Sequence, residues 1–408
     1  MRILFVSEYF PPKIMGGGEI NLSLLAKALV KEGLDISVIT SYHPGLKLFE
    51  VVDGVKVYRR LKTGETASGI SHNFKRSFLF PKSVEKEVEK LHWKKNFTLI
   101  HFIGTSIITA KKLKRLKVPL MATIESYPTL CPKGDRIYQS KQECKTVCSL
   151  SKFSKCQIKS NEIGKTKNKW FLKYNPIFTW YVYNYYKKLN KSLRYCNLIS
   201  ISEYIQKVLQ QYGKKSVVIP NAINTKQFQH QKINNSKPKL LYLGSLTRFK
   251  GPQVLLKALS GLNCHLDLYG DGPTKNYLQK LINKNNLDAQ IHSPVPYEKV
   301  PSLYANTDII IFPSIWPEPF GRIAIEAMAA GKPVIGSKIG GISETIKKER
   351  GLLVQPNNII ELREKIKELL ENKELYQNLS KKGLIEAKNY EEKVIIKKLI
   401  QVYQNLTN

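Results

Sequence analysis

No run of apolar residues in this 408-residue chain approaches the ~20 that a helix needs to cross a bilayer, so a membrane-spanning protein is not expected. The opening MRILFVSEYF is apolar but short, carries Glu8 and lacks a small-residue cleavage site. It reads as a first strand and not a signal peptide, which points to a cytoplasmic chain. Also missing is G-x-G-x-x-G with an acidic residue ~20 positions on, which argues against a nicotinamide-dependent dehydrogenase. Acidic residues are scarce: 32 Asp and Glu stand against 66 Lys and Arg, a formal net charge of +34. A field of that size attracts polyanions, so nucleic acid, anionic lipid headgroups and phosphorylated substrates all fit it. Most of the excess is Lys scattered singly, which fits plain solvated faces equally well. Glycine and proline are near average, and a hydrophobic content of 42% is ample for two or more packed domains.

Cysteine is sparse too, six in all, but four of them cluster: Cys131, Cys144, Cys148 and Cys156, spaced x12, x3 and x7. Four thiolates so close in sequence are able to hold a structural zinc ion or an iron–sulfur cluster, although the tight C-x2-C of a zinc ribbon is absent. Cys196 and Cys264 sit in apolar runs and read as buried thiols.

What is present is a strand–turn–helix–strand order, repeated. Residues 2–6 read as a strand, Gly16-Gly17-Gly18 as a turn, residues 20–33 as a helix and residues 35–40 as the next strand. Further strands are expected over 99–102, 119–124 and 198–201. A second such unit starts at KLLYLGSL, with a helix over 252–259 and strands over 265–273, 289–292, 308–312 and 332–336. The expectation is an α/β chain of two Rossmann-like domains with parallel sheets facing an interdomain cleft, where open α/β sheets bind ligands. Its parts are 1–219, with a Cys-rich insertion at about 131–156, then 220–390, and a final helix over 391–408 that crosses back to the first domain. The joint is Ile219-Pro220-Asn221, a break signal.

The most informative stretch is IIIFPSIWPEPFGRIAIE, residues 309–326. A buried strand runs into a Pro-rich loop, and Gly321 opens a helix whose free N–H groups and dipole favour a phosphate. Glu318 lies in the loop and Glu326 about a turn into the helix, so their carboxylates are placed to accept hydrogen bonds from hydroxyl groups. Together with AMAAGKPVIGS, Gly340-Gly341, Glu344 and GLLVQP, the segment resembles the E-x7-E signature of retaining GT-B glycosyltransferases, family four. The resemblance implies that Glu318 contacts the sugar of a nucleotide-sugar donor together with Phe320 and Gly321. It also implies that Glu326 holds the ribose, and that Arg322 and Ile323 lie next to the phosphates. In GSLTRFKG, Lys250 matches the family's diphosphate-binding lysine. Ser245 stands where the family has an arginine, and Arg248 is the candidate to replace it. Gly244, Gly270 and Val295 complete the expected donor site.

In the first half, Gly16 and Gly17 resemble the family's opening glycine loop, and His101 and Glu125 fall at its acceptor-side positions. The family's second histidine is Ile103 here, and its His-Asp is Glu125-Ser126, so His101 reads equally as a core residue and Glu125 as an acceptor for the attacking hydroxyl. The aromatic and basic stretch over 170–188 reads as a helix packed on the first domain or as a contact with an anionic membrane surface.

The implied activity is transfer of a hexose from a UDP- or GDP-sugar to a hydroxyl of a glycan or lipid-linked glycan, with retained configuration and no metal needed for catalysis. The alternatives are a GT-B nucleotide-sugar epimerase or phosphorylase, or a basic nucleic-acid-binding protein. The last would leave EPFGRIAIE unexplained, and no nucleic-acid partner is expected.

Overall fold

The computed structural model describes residues 1–64, 70–160, 170–228, 237–347 and 349–407. The chain divides into two compact units: Met1–Pro220 together with the segment from Ile395 onward, and Asn221–Val394. The division falls one residue from the expected joint. The helix Glu392–Thr407 runs from one unit into the other, and its buried face is Ile395, Ile396, Leu399 and Tyr403.

The first unit is built on an eight-stranded sheet. Its strands are β1 (Arg2–Val6), β2 (Asp35–Ser41), β3 (Phe49–Val52), β4 (Val55–Leu61), β5 (Leu99–Ile103) and β6 (Leu120–Ile124). After a two-stranded hairpin, β7 (Ile137–Tyr138) and β8 (Gln142–Glu143), come β9 (Asn197–Ser200) and β10 (Val217–Val218). The order is β10-β9-β6-β5-β1-β2-β4-β3. Strands β1, β5 and β6 are buried without alternation from Ile3 to Val6, Leu99 to Ile103 and Leu120 to Ile124, as strands buried on both faces must be.

The edge departs from the expected all-parallel sheet: β3 pairs antiparallel with β4. The cause is the turn Val52-Asp53-Gly54-Val55, in which Asp53 (φ 49°) and Gly54 (φ 80°) both take the left-handed conformation of a two-residue hairpin turn. The sequence reading places no strand there, although Asp-Gly between two β-branched runs is a recognisable signal.

The second unit has a six-stranded, wholly parallel sheet: β11 (Lys239–Leu243), β12 (His265–Tyr269), β13 (Ala289–His292), β14 (Ile309–Phe312), β15 (Val334–Ser337) and β16 (Leu352–Val354). Its order, β13-β12-β11-β14-β15-β16, is that of a doubly wound dinucleotide-binding fold. The order reverses between β11 and β14, so the loops leaving these strands open a crevice at the carboxyl edge. Leu240, Leu266, Ile309, Ile311 and Ile335 pack the core beneath them.

Candidate functional site

The loop after β14 gathers several of the residues singled out in the sequence. Glu318 is 6% exposed, and its Oε1 accepts hydrogen bonds from Lys250 Nζ and from Ser314 Oγ at 2.8 Å. The described residues donate nothing to Oε2, which leaves it open to a ligand hydroxyl. Lys250 comes from the loop after β11, and its ammonium lies 4.6 Å from the Trp316 ring centroid. The backbone of Glu318 is held by Gly341 N–H, which donates to Glu318 O at 2.7 Å. A Cβ on Gly340 would come within 2.5 Å of the same oxygen, so the Gly340-Gly341 pair exists to let the two loops touch. Gly321 (φ 102°) then caps the helix Arg322–Ala329, whose first N–H groups lack intrahelical partners.

A second cluster lies one turn along that helix. Glu326 Oε1 accepts from Arg322 Nε (2.8 Å) and from Tyr297 Oη (2.9 Å), and Oε2 accepts from Tyr304 Oη (3.1 Å). Arg322 Nη2 donates to Tyr297 Oη at 2.9 Å, and Nη1 to Ala222 O at 3.2 Å. Burial, with the Glu326 carboxylate beside it, pushes the Tyr297 phenol well above its ordinary range. Burial pulls the Arg322 pKa down, but Glu326 and Tyr297 outweigh it and raise it, so the guanidinium stays charged. The expected place of Arg322 beside phosphate concerns its backbone at the helix start, which these side-chain contacts leave as it was. Its side chain is spent on orienting Glu326, and only its backbone N–H is left for an anion.

Next to this cluster is a cavity of about 380 Å³ lined by Gly244, Gly270, Val295, Ile323 and Glu326, five of the residues singled out in the sequence, together with Tyr269 and Tyr297. That volume suits a nucleoside-sized ligand. Its floor depends on glycine: a Cβ on Gly270 would sit 1.9 Å from Gly244 O. Tyr269 stacks on His292 with centroids 4.3 Å apart, and His292 Nε2 bonds Asp267 at 2.6 Å, which stiffens one wall. Arg248 is exposed, in the short helical turn Arg248–Lys250 beside Lys250. Phe320 is buried, packing edge-on against Tyr390 at 5.9 Å.

In the first unit, the helix Gly17–Lys31 starts at Gly16, whose N–H donates to Glu19 Oε2 at 2.9 Å. Gly18, which the sequence reading did not choose, lies closest to the Glu125 carboxylate: a Cβ there would lie 2.5 Å from Glu125 Oε2, at the end of a side chain able to shift. Glu125 follows β6 and sits against this helix N-terminus, and Asn21 Nδ2 donates to its Oε1 at 3.3 Å. The positive end of the helix favours the ionised carboxylate.

His101 is not at the strand end but in the middle of β5. It is 1% exposed, with Nδ1 2.7 Å from Tyr403 Oη and Nε2 2.7 Å from Thr123 Oγ1. Burial lowers its pKa to about 3. With both nitrogens engaged and the charged form suppressed, no proton-transfer role is open to it, so the catalytic expectation gives way to a core one. The folded pKa is depressed below the ordinary 6.5, so the unfolded chain binds the extra proton between those values. Stability contributed by this site is therefore full above pH 6.5 and falls by about 1.4 kcal/mol per pH unit as pH drops toward 3. We expect His101→Gln to flatten the acid limb of a stability–pH curve. An unchanged limb would show that another group sets it.

Sequence reasoning missed Glu8, just past β1. It accepts from Arg76 Nε (2.6 Å), Thr63 Oγ1 (2.6 Å) and Thr105 Oγ1 (3.1 Å), while Arg76 Nη2 donates to Tyr9 Oη at 2.8 Å. A charged residue directly after the first buried strand, where strand order reverses, was the available signal.

Comparison with known proteins gives a consistent result. The family model described as Glycosyltransferase Family 4 matches residues 15–227, and that described as Glycosyl transferases group 1 matches residues 223–385. An uncharacterized glycosyltransferase of Methanocaldococcus jannaschii is 25% identical, covering 99% of this chain and 98% of its own. Among solved structures, sucrose-phosphate synthase from Thermosynechococcus elongatus superposes with a TM-score of 0.77 at 22% identity, over 99% of this chain and 98% of the other. The Anabaena protein HepE in complex with UDP-glucose superposes with a TM-score of 0.70 at 19% identity, over the full length of both. These two structures share the GT-B fold with this chain.

Proposed function

The chain belongs to glycosyltransferase family 4, and from that premise we propose that it moves a hexose from a UDP- or GDP-sugar to a hydroxyl acceptor with retention of configuration. The observation that carries this reading is the pairing of Lys250 with Glu318 at the mouth of the Gly321-capped helix, beside a glycine-floored cavity that ends on Glu326. In this reading the nucleoside fills the cavity, and its ribose hydroxyls donate to Glu326. The diphosphate faces the helix N-terminus, and Lys250 offsets the charge that grows on it as the sugar leaves. Glu318 Oε2 accepts from a sugar hydroxyl, and the acceptor attacks from the face that the leaving phosphate occupied. This arrangement asks for cations and N–H groups and not for a catalytic metal. For Glu125 of the first unit the proposed role is to accept a hydrogen bond from the attacking hydroxyl.

A thermal-shift panel of UDP- and GDP-sugars tests the reading. A cognate donor at 100 times its Kd stabilises the protein by about 2.7 kcal/mol. No shift with any nucleotide sugar or diphosphate would sink it. Product analysis with and without acceptor separates transfer from epimerisation, and the anomeric configuration of the product tests retention. Glu326→Gln should weaken donor binding tenfold or more by calorimetry, because a charged acceptor bond contributes about 1.5–3 kcal/mol. Unaltered affinity would move the ribose elsewhere.

A lipid-linked acceptor is favoured by the surface of the first unit. On the helix Pro176–Ser192, Ile177 and Trp180 are 76% and 59% exposed. Tyr181 of the same helix stacks on Phe78 of the helix Ile70–Lys95, and Phe74 stands 58% exposed beside Phe78. The side chains of Trp170 and Phe171, which belong to the same aromatic stretch, lie outside the described residues. Large apolar side chains among lysines suit the interface of an anionic membrane. No helix among the described residues is long and apolar enough to cross one. Co-sedimentation with anionic but not neutral liposomes, lost on Trp180→Ser, is the expected result, and equal binding to both would refute it.

A further inference from the structure

We propose that the insertion over residues 131–156 binds one zinc ion through the thiolates of Cys131, Cys144, Cys148 and Cys156. All four cysteines line the same small cavity of about 20 Å³, enclosed by the loop after β6, the β7–β8 hairpin and the helix Leu150–Ile158. None of the four is in a disulfide. Close in sequence, with spacings of x12, x3 and x7, they are brought to one cavity by the hairpin and helix that carry them.

Two further features point to an anionic metal–thiolate group. A backbone N–H group is aimed at one of the sulfurs. Gln139 N–H donates to Cys156 Sγ at 3.2 Å. Gln139 takes the left-handed conformation (φ 53°) to present its N–H. Donors of this kind are the outer shell that stabilises thiolate ligands. Arg136 lines the same cavity and is 1% exposed. Its Nη2 donates to the neutral Gln211 amide at 3.2 Å, and its Nε finds no acceptor among the described residues. A buried guanidinium without a counter-charge is costly. Zinc with four thiolates carries a net charge of −2, and such a group beside Arg136 removes that cost.

The cavity holds about one water-sized sphere, enough for a single ion. Four sulfurs around a single ion give the tetrahedral set that zinc favours. Among the described residues, no three His, Cys, Asp or Glu side chains already stand at metal-binding separation. Binding therefore draws the sulfurs inward. Cys144 and Cys148 give up their weak contacts with Thr146 O (3.8 Å) and Ser149 O (3.5 Å), four S–H protons leave, and four Zn–S bonds of about 2.3 Å form. The bound ion would pin the hairpin and helix to the loop that begins at Glu125. The N–H groups of Leu130 and Cys131 already anchor that loop to Tyr127 O, at 2.8 and 2.7 Å. The role is structural, and it is independent of the transfer reaction.

The test is elemental analysis of the full chain purified without chelator. About one zinc per chain is expected, released as four thiols are titrated with a mercurial. Cobalt substitution should give the absorption of a tetrahedral thiolate site. Cys131→Ser and Cys148→Ser should lose the metal, while Cys196→Ser and Cys264→Ser keep it. The wild-type stoichiometry stands even if a ligand variant fails to fold. Iron with inorganic sulfide, two disulfides by mass, or a metal-free chain whose insertion resists proteolysis would each overturn the proposal.

Discussion

Lys250→Met should lower the transfer rate by about 10²–10³-fold, the loss seen when one preorganised donor to a developing negative charge is removed. Methionine keeps an unbranched side chain of similar length and removes the ammonium, together with its contact with the Trp316 ring. The single variant also strands Glu318, which is buried and shares its Oε1 with Lys250, so stability should fall with activity. Lys250→Met/Glu318→Gln separates the two effects. Removing both charges restores stability, because Ser314 still satisfies the amide, but the rate stays low because nothing offsets the leaving diphosphate. Steady-state rates and urea midpoints for the three proteins decide it. Recovery of rate along with stability in the double variant would mean that Lys250 serves the fold and not the reaction.

Gly251→Ala should cost roughly 3 kcal/mol or more of stability in the second unit and abolish donor binding with it. Gly251 has φ 75°, and a Cβ there would lie 1.9 Å from Pro313 O. Part of the penalty is the left-handed conformation, about 1–2 kcal/mol for an ordinary residue. The rest is a backbone contact that no rotamer change relieves. Gly261→Ala isolates the first part, since Gly261 has φ 80° and nothing within 4 Å of its would-be Cβ. The loop that Gly251 presses against leads on to Glu318, and Lys250 is its neighbour, so the clash would push the cation and the carboxylate apart. Equal urea midpoints for the two alanine variants would show that the loops tolerate separation.

The parts of the fold that were legible in the sequence are those with one-dimensional signals. The strands at 2–6, 239–243 and 289–292 are short apolar runs ended by turn residues, and the structure places them there or within a residue or two. The helix beginning at Arg322 was legible from Gly321 and the apolar spacing after it. The β3–β4 hairpin was overlooked because its strands are partly exposed and weakly apolar, although the Asp-Gly turn was there to be read. Side-chain partners were less legible than elements. The resemblance puts Arg322 beside the phosphates and says nothing of where its side chain goes. Its partners, Tyr297 and Ala222, come from distant segments and turn it toward Glu326. His101 looks catalytic because it ends an apolar run. Tyr403, 302 residues away, closes one side of it, and Thr123 closes the other. Glu8 gave no signal beyond its place after β1, because its ligands Thr63, Arg76 and Thr105 share no motif with it.

The sequence by itself determined the alternation of strand and helix, the two-unit organisation and the placement of Glu318 on a loop and Glu326 on a helix. Each follows from local periodicity and from residues such as Gly321 that act on the backbone beside them. Only the tertiary structure decided which groups meet. Lys250 reaches Glu318 across 68 residues because the strand order sets β11 beside β14, so that the loops leaving both strands emerge at one edge. Folding of the insertion likewise brings its four cysteines to one cavity that Arg136 also lines. Periodicity specifies which face of an element is buried. It carries no information on which distant side chain will lie opposite, and hydrogen-bond partners are chosen by that adjacency.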